Sequence, residues 1–251
     1  MVAGALAATG AALRPVEAPV WAQMQAGEPA LRLDSGVAST EQALVRGLLG
    51  GFRAAAADFA WLEAYEAAEA HDLPATESLL HLVTVIDPRP VYFWLNGARI
   101  VACDLPGWRI EAAGGYDRVP VGVQERIRHD QARRALRLLA EGRKFHPTTA
   151  ALWIEQANIE LTQLGDMAGA AESYRRAWEQ PQAPYFAARL HAELLRRLGR
   201  KTEALAWLVQ LHPQLPADDE AAGAELVLAR IRDLERELRL PSGATYQPAH
   251  R

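Results

Sequence analysis

The chain has 251 residues, half of them apolar, and a formal net charge of −4 at pH 7. This length is enough for one large domain or two small ones with a sizeable core. The acidic balance argues against a general nucleic-acid binder, whose surface would carry a basic excess. Cys103 is the only cysteine, which excludes an internal disulfide and a cysteine-based zinc site within one chain.

Residues 1–39 are predicted to form an apolar tail followed by a linker. The first thirteen residues carry no charged side chain, a run that is too short to span a bilayer and lacks the basic start of a signal peptide. The tail is either the remnant of a membrane anchor, in a membrane-anchored or periplasmic protein, or a disordered end of a cytoplasmic one. Its concentration of small apolar residues favours the anchor. Proline and glycine recur from Pro15 to Ser39, which is typical of an extended linker.

The pattern from Thr40 onward is helical. Ser39 or Thr40 is a plausible N-cap, with acidic and amide side chains in the first turn. The β-branched stretch from His81 to Asp87 continues a helix-spaced apolar series and stops at Asp87-Pro88. It is therefore interpreted as the end of a helix, with a turn before that helix near residues 71–74.

Two glycine stops are separated by 34 residues, at Gly165 and Gly199. Three further pairs recur at the same spacing: Leu161 and Leu195, Ala170 and Ala204, and Tyr174 and Leu208. Proline follows each second helix, at Pro181 and Pro213. A fixed period of 34 that carries helix, short turn and helix resembles the tetratricopeptide repeat family.

The resemblance implies an all-α fold, a right-handed superhelix of antiparallel helix pairs closed by a C-terminal capping helix. The domain would span residues 40–240, followed by a tail at 241–251. The four repeats would be 40–90, 91–147, 148–182 and 183–215. The capping helix would bury an apolar stripe, namely Ala224, Leu226, Ile231, Leu234 and Leu238.

Small side chains are needed where two such helices cross, because large ones would hold the helices apart. Ala157, Ala170 and Ala204 satisfy this requirement. Asn158 and His191 depart from the small or apolar types expected around the crossing.

Members of this family hold a peptide or a partner helix in a concave groove lined by the first helix of each repeat. Transferred residue by residue, the groove would comprise Trp94, Ala98, Val101, Glu155, Ile159, Thr162, Phe186, Arg189, Glu193 and Arg196. The alternative is that its charged side chains pair with each other across adjacent helices, which contributes under about 1 kcal/mol per pair. Asn96 and Asn158 are present without an accompanying lysine, so capture of a chain-terminal carboxylate is not expected.

The second repeat departs most from the family pattern, with an insertion at about 104–120. It carries side chains that are common in interfaces, Trp108, Arg109 and Tyr116. The part from Trp108 to Ala113 is expected to form a helical turn or two. The insertion either binds a partner and is dispensable for the fold, or packs onto the repeats through Trp108 and Ile110.

No residue pattern in the sequence indicates a catalytic site. The sequence has no HExxH or GxSxG motif and no metal-ligand spacing among its histidines. We therefore expect no catalytic residue, no cofactor and no metal. Arg126, Arg133, Arg134 and Arg137 are interpreted as a solvated helix face rather than a nucleic-acid contact.

The leading hypothesis is a non-enzymatic adaptor that binds another protein or peptide through its groove and inserted loop, tethered to a membrane through its N-terminus. The alternative is a structural subunit of a larger assembly, such as an envelope-associated one. An enzyme is the third hypothesis, and no site in the sequence supports it.

Overall fold

The computed structural model describes residues 52–216 and 218–248. All regular structure in these ranges is helical, which confirms the all-α prediction for this part of the chain. The predicted tail and linker at 1–39, together with the start of the first predicted repeat, lie outside the described residues. The chain divides into two compact units, Met1–Pro147 and Thr148–Arg251.

The first unit contains five described α-helices. They are α1 (Arg53–Glu69), α2 (Leu73–Ile86), α3 (Val91–Arg99), α4 (Leu105–Ala112) and α5 (Val121–Phe145). Helices α1 and α2 pack against each other, and α5 packs against both α3 and α4. The α1 face towards the core is built of alanine, because every buried residue of this helix is an alanine.

The Asp87-Pro88 pair ends α2 as predicted. Asp87 is 1% exposed, and its carboxylate accepts hydrogen bonds from Arg89 Nε at 2.8 Å and Nη2 at 2.7 Å. Burial opposes ionisation of Asp87, but the hydrogen bonds and charge of Arg89, with Arg53 3.8 Å away, hold the pKa of this carboxyl below its usual range. Asp87-Pro88 thus ends α2, and Asp87 forms an ion pair with Arg89 directly before α3.

About half of the predicted insertion at 104–120 is helical, including the turn or two expected from Trp108. A five-residue π-helical turn, Ile100–Asp104, joins α3 directly to α4. The non-helical connection to α5 is therefore confined to residues 113–120. Leu105 and Ile110 of α4 are fully buried, so this segment belongs to the core of the first unit.

The second unit also contains five described α-helices. They are α6 (Ala150–Thr162), α7 (Met167–Trp178), α8 (Tyr185–Arg197), α9 (Lys201–Leu211) and α10 (Ala224–Glu237). Each packs against the next one along the chain. One core cluster lies among α6, α7 and α8, and a second lies among α8, α9 and α10.

Both glycine stops adopt the backbone conformation expected of them. Gly165 has φ +65° and Gly199 has φ +79°, in the left-handed region that glycine enters without a steric penalty. After the first stop, the Asp166 side chain accepts a hydrogen bond from the Gly169 backbone N–H at 2.8 Å and caps α7. The turn predicted near residues 71–74 is also present, with Asp72 capping α2.

The two polar residues that depart from the repeat pattern connect neighbouring helices. The Tyr174 hydroxyl donates to Asn158 Oδ1 at 2.7 Å. His191 is 7% exposed, and its Nδ1 lies 2.7 Å from the Ala171 carbonyl. A carbonyl can only accept, so His191 donates from Nδ1. Its ring also meets the edge of Trp207 at a centroid distance of 4.5 Å.

The capping helix follows the predicted stripe only in part, because Val227 is buried in place of Leu226 and Leu238 lies just beyond the helix. Val227, Ile231 and Leu234 are buried, whereas Leu226 is 68% exposed. Because successive helical residues are rotated by about 100°, burial of Val227 turns the adjacent Leu226 away from the core. Leu226 is therefore a surface residue, and the prediction that it is buried is wrong.

None of the helices in residues 52–216 and 218–248 is both long and apolar enough to cross a membrane.

A larger side chain at a helix crossing should destabilise the second unit. Ala204 is 0% exposed in the core of α8, α9 and α10, so Ala204→Leu should lower the free energy of unfolding by roughly 1–3 kcal/mol through overpacking. Ala206 lies on the same helix and is exposed, so Ala206→Leu is the matched control. Urea unfolding of both variants measures the difference, and equal stabilities would contradict the assigned packing.

Protonation of His191 should destabilise the fold at mildly acidic pH. Burial lowers the pKa of His191 below 6.5, and the positive charges of Arg175 and Arg200 act in the same direction. The unfolded chain therefore takes up its proton at a higher pH than the folded chain, so stability is complete above the unfolded pKa near 6.5 and falls as pH decreases below it. Thermal unfolding should show a larger loss between pH 7.5 and pH 5.5 in the wild type than in His191→Phe. Parallel losses in the two proteins would rule out this contribution.

Candidate partner-binding surface

Half of the predicted groove residues lie in the interior. Five of them are at most 9% exposed: Trp94, Ala98, Val101, Glu155 and Ile159. Such positions offer no surface to a partner, so the predicted groove has to be corrected at these residues. The accessible members are Thr162 on α6 and the set contributed by α8.

Trp94 is held by three features of the first unit. Its indole N–H donates to the Pro88 carbonyl at 2.8 Å, and its ring stacks on Phe145 at a centroid distance of 5.7 Å. A Cβ at position 142 would come within 2.9 Å of the Trp94 ring, so Gly142 makes room for it. Trp94 is a structural residue of the α3–α5 contact.

Glu155 on α6 and Tyr174 on α7 are both buried in the second unit. Burial raises the pKa of the Tyr174 hydroxyl, and the negative charge of Glu155 adds to the effect. Tyr174 therefore remains a hydrogen-bond donor to Asn158 at neutral pH. The function of this cluster is structural, because Glu155 is only 5% exposed.

The three partner-binding candidates of the insertion are engaged within the first unit. Trp108 stacks on His71 at a centroid distance of 4.9 Å, and Arg109 Nη2 lies 2.6 Å from Glu77 Oε1. Tyr116 is 46% exposed, with the Arg128 guanidinium 5.9 Å from its ring centroid. These contacts, with Ile110 fully buried, support the packing alternative for the insertion.

An apolar surface remains on the second unit, where α8 and α10 lie side by side. Phe186 and Leu190 are 42% and 36% exposed on α8, and Leu226 is 68% exposed on α10. Phe186 and Leu190 are four residues apart, so they occupy the same helix face. Exposed apolar groups that cluster in this way are typical of interaction surfaces. We call these residues, with Arg189, Glu193 and Arg230, the α8–α10 surface.

Arg189 fixes the two sides of the α8–α10 surface relative to each other. Its Nη1 donates to the carbonyls of Ala221 at 2.9 Å and Ala222 at 2.6 Å, in the 3₁₀ turn before α10. Gly223 follows with φ +63°, and a Cβ there would lie 2.9 Å from Arg189 Nη1. The guanidinium and the glycine together hold the start of α10 against α8.

Arginine is in excess around the one glutamate at the centre of the surface. Glu193 accepts hydrogen bonds from Arg196 at 2.8 and 2.9 Å and from Arg197 at 3.0 Å, and Arg230 lies 3.8 Å away. The hydrogen bonds from Arg196 lower the pKa of Glu193 to about 2. Three guanidiniums thus surround Glu193, and Arg230 also lies 3.8 Å from Asp233. With both carboxylates counted, one positive charge remains in excess beside the apolar side chains.

The sequence prediction included Phe186, Arg189, Glu193 and Arg196 of this region but missed Leu190, Leu226 and Arg230. The spacing of four from Phe186 could have indicated Leu190. Leu226 was assigned to the buried stripe, and only the start of α10 directly after Gly223 fixes the rotation that exposes it.

No other chemical site stands out. Within the described ranges, no group of three or more histidine, cysteine or carboxylate side chains is placed to hold a metal ion. Comparison with protein-family models, with curated proteins and with solved structures gives no match to this chain. Functional inference therefore depends on the surface itself.

Shortening a core residue of α4 should destabilise the first unit. Ile110→Ala removes a fully buried side chain and should lower the free energy of unfolding by about 2–5 kcal/mol. The neighbouring Glu111 is exposed, so Glu111→Ala should have little effect. Chemical denaturation of both variants measures their free energies of unfolding. An Ile110→Ala protein as stable as the wild type would show that this segment is dispensable for the fold.

Proposed function

We propose that the protein is a non-enzymatic helical-repeat scaffold that binds another protein through the α8–α10 surface. The observation that carries the proposal is the cluster of exposed Phe186, Leu190 and Leu226 beside an excess of arginine. In the finer architecture that we propose, the helix pairs are antiparallel repeats of the tetratricopeptide type, stacked in a right-handed superhelix. The 34-residue period and the left-handed glycines at both stops support this assignment.

The proposed partner is a peptide or helix with an apolar anchor and at least one carboxylate. Large apolar side chains supply most of the energy of such contacts, because their burial removes apolar area from water. The guanidiniums around Glu193 add charge-assisted hydrogen bonds, for which carboxylates are the matching acceptors. Arg189 is committed to the carbonyls before α10, so Arg197 and Arg230 are better placed to meet the partner.

Introduction of negative charge at the apolar positions should weaken partner binding. Leu190→Glu with Leu226→Glu places carboxylates where the apolar anchor would sit, and retention of partners should fall by at least about tenfold, or 1.4 kcal/mol. Val121→Glu is the control, because Val121 is 68% exposed on α5 in the first unit. The measurement is affinity purification of the full chain, with quantitative mass spectrometry of the proteins it retains.

The same purification distinguishes an adaptor from a permanent subunit. Partners that exchange and are released by salt support the adaptor, since the guanidinium contribution is screened at high ionic strength. One stoichiometric, salt-resistant partner would indicate a structural subunit of a larger assembly. Equal retention by the wild type and the double variant would contradict any role for the α8–α10 surface.

A further inference from the structure

Helix α1 of the first unit carries a second apolar face. Phe59 is 64% exposed, Leu62 is 62% exposed and Tyr65 is 55% exposed. All of the buried residues on α1 are alanines: Ala57, Ala60, Ala64 and Ala68. Phe59, Leu62 and Tyr65 thus point to solvent, whereas the alanines and the partly buried Trp61 pack against the core.

This distribution of side chains differs from that of a helix whose only role is to pack against its own core. An amphipathic helix normally buries its large apolar residues, because burial of a leucine or phenylalanine removes far more area from water than burial of an alanine. Leu62 lies three residues from Phe59 and three from Tyr65, so the three side chains form one continuous strip along the helix. Trp61, which is partly buried, extends the strip towards Tyr92, whose ring meets it at a centroid distance of 5.3 Å.

Carboxylates share this face of the helix, since Asp58 and Glu66 lie four residues from Leu62 and Glu69 lies four residues from Tyr65. Asp58, Glu63, Glu66 and Glu69 are all exposed on α1. Among the described residues none of the four has an ion pair with an arginine, lysine or histidine. Several carboxylates of the second unit differ in this respect, since Glu172, Glu193 and Glu203 each pair with arginine.

The positions of these charges do not stabilise α1. Glu66 and Glu69 lie in the last turn of α1, where the helix dipole is negative and a cation would be stabilising. The last turn contains no basic residue, and the first turn contains no acidic one. The helix therefore carries an unfavourable charge arrangement beside an unburied apolar strip, and a binding partner of opposite charge would offset both.

We propose that the outer face of α1 is a docking surface for an amphipathic helix of another protein, with an apolar stripe bordered by arginine or lysine. The stripe would cover Phe59, Leu62 and Tyr65, and its basic borders would meet Asp58, Glu63, Glu66 and Glu69. The same carboxylates disfavour a second copy of α1, because two such faces would bring like charges together. They also disfavour an anionic membrane surface.

This site is independent of the α8–α10 surface. The two surfaces lie on different units and carry opposite local charge. They would select partners of different chemistry, basic at α1 and acidic at α8. The protein would then be able to hold two different partners.

A defined peptide tests the proposal on the full chain. The probe is a fluorescein-labelled helix of about 20 residues, with leucine at helical spacing and arginine along both borders. A control peptide has glutamate in place of each arginine. Fluorescence anisotropy should show binding of the arginine probe and no binding of the glutamate peptide, and raised salt should weaken the binding.

Two variants locate the site. Phe59→Ala with Leu62→Ala should weaken probe binding by at least about tenfold, and Glu63→Gln with Glu66→Gln should weaken it and reduce its salt dependence. Val121→Ala with Met167→Ala is the control, since both side chains are exposed apolar groups outside α1. All substitutions are at exposed positions, and circular dichroism of each variant verifies that it is folded.

Four results would overturn the proposal. Equal binding of the two peptides would exclude charge recognition, and unchanged binding by the α1 variants would place the probe elsewhere. Concentration-dependent self-association that is lost in Phe59→Ala with Leu62→Ala would identify a second copy as the occupant. Tighter probe binding by Leu44→Glu with Leu48→Glu would show that the chain's own residues 41–49 compete for α1.

Discussion

Close approach of helices through alanine is the constraint on which the rest of the structure depends. Buried alanines occupy the contact faces in both units: Ala57, Ala60, Ala64 and Ala68 in the first, and Ala157, Ala170, Ala171, Ala177, Ala188, Ala192 and Ala204 in the second. A side chain of one carbon lets two helices pack closely, but it buries little apolar area. Stability must therefore come also from the residues at the edges of each contact.

Hydrogen bonds between helices supply part of the stability that the small apolar area of the alanines does not provide. Trp207 donates to the Ala188 carbonyl at 3.0 Å, and Ser173 donates to Glu160 at 2.6 Å. With the contacts of His191 and Asn158, they connect each helix from α6 to α9 to its neighbour. A slip of one residue would leave buried donors and acceptors without partners, which costs more than the bonds themselves contribute. The polar residues thus define a unique register that uniform alanine faces would not specify.

The sequence was informative where local chemistry decides the conformation. Gly165 and Gly199 end helices because only glycine enters the left-handed region without a penalty, and Asp87-Pro88 ends α2 by the same kind of local rule. The candidate site was predictable only in part. Periodicity indicates which face of a helix meets its immediate neighbour, but Trp94 and Ile159 are buried on other faces, and no local pattern reveals what covers a second face. Leu226 was misplaced because a rotation of one residue decides between core and surface.

The π-helical turn at Ile100–Asp104 has a consequence for how this chain tolerates change in length. A π turn accommodates one more residue than an α turn, so the surplus is absorbed inside a continuous helical run rather than in a loop. Loss of one residue here would restore α geometry and leave α4 close to its present orientation, because the π turn holds the surplus residue within a single turn. Loss of one residue from a purely α-helical part of the same run would instead rotate everything after it by about 100°, moving Leu105 and Ile110 off the core face. The π turn is thus the position in this helical run that best tolerates a change of one residue in length.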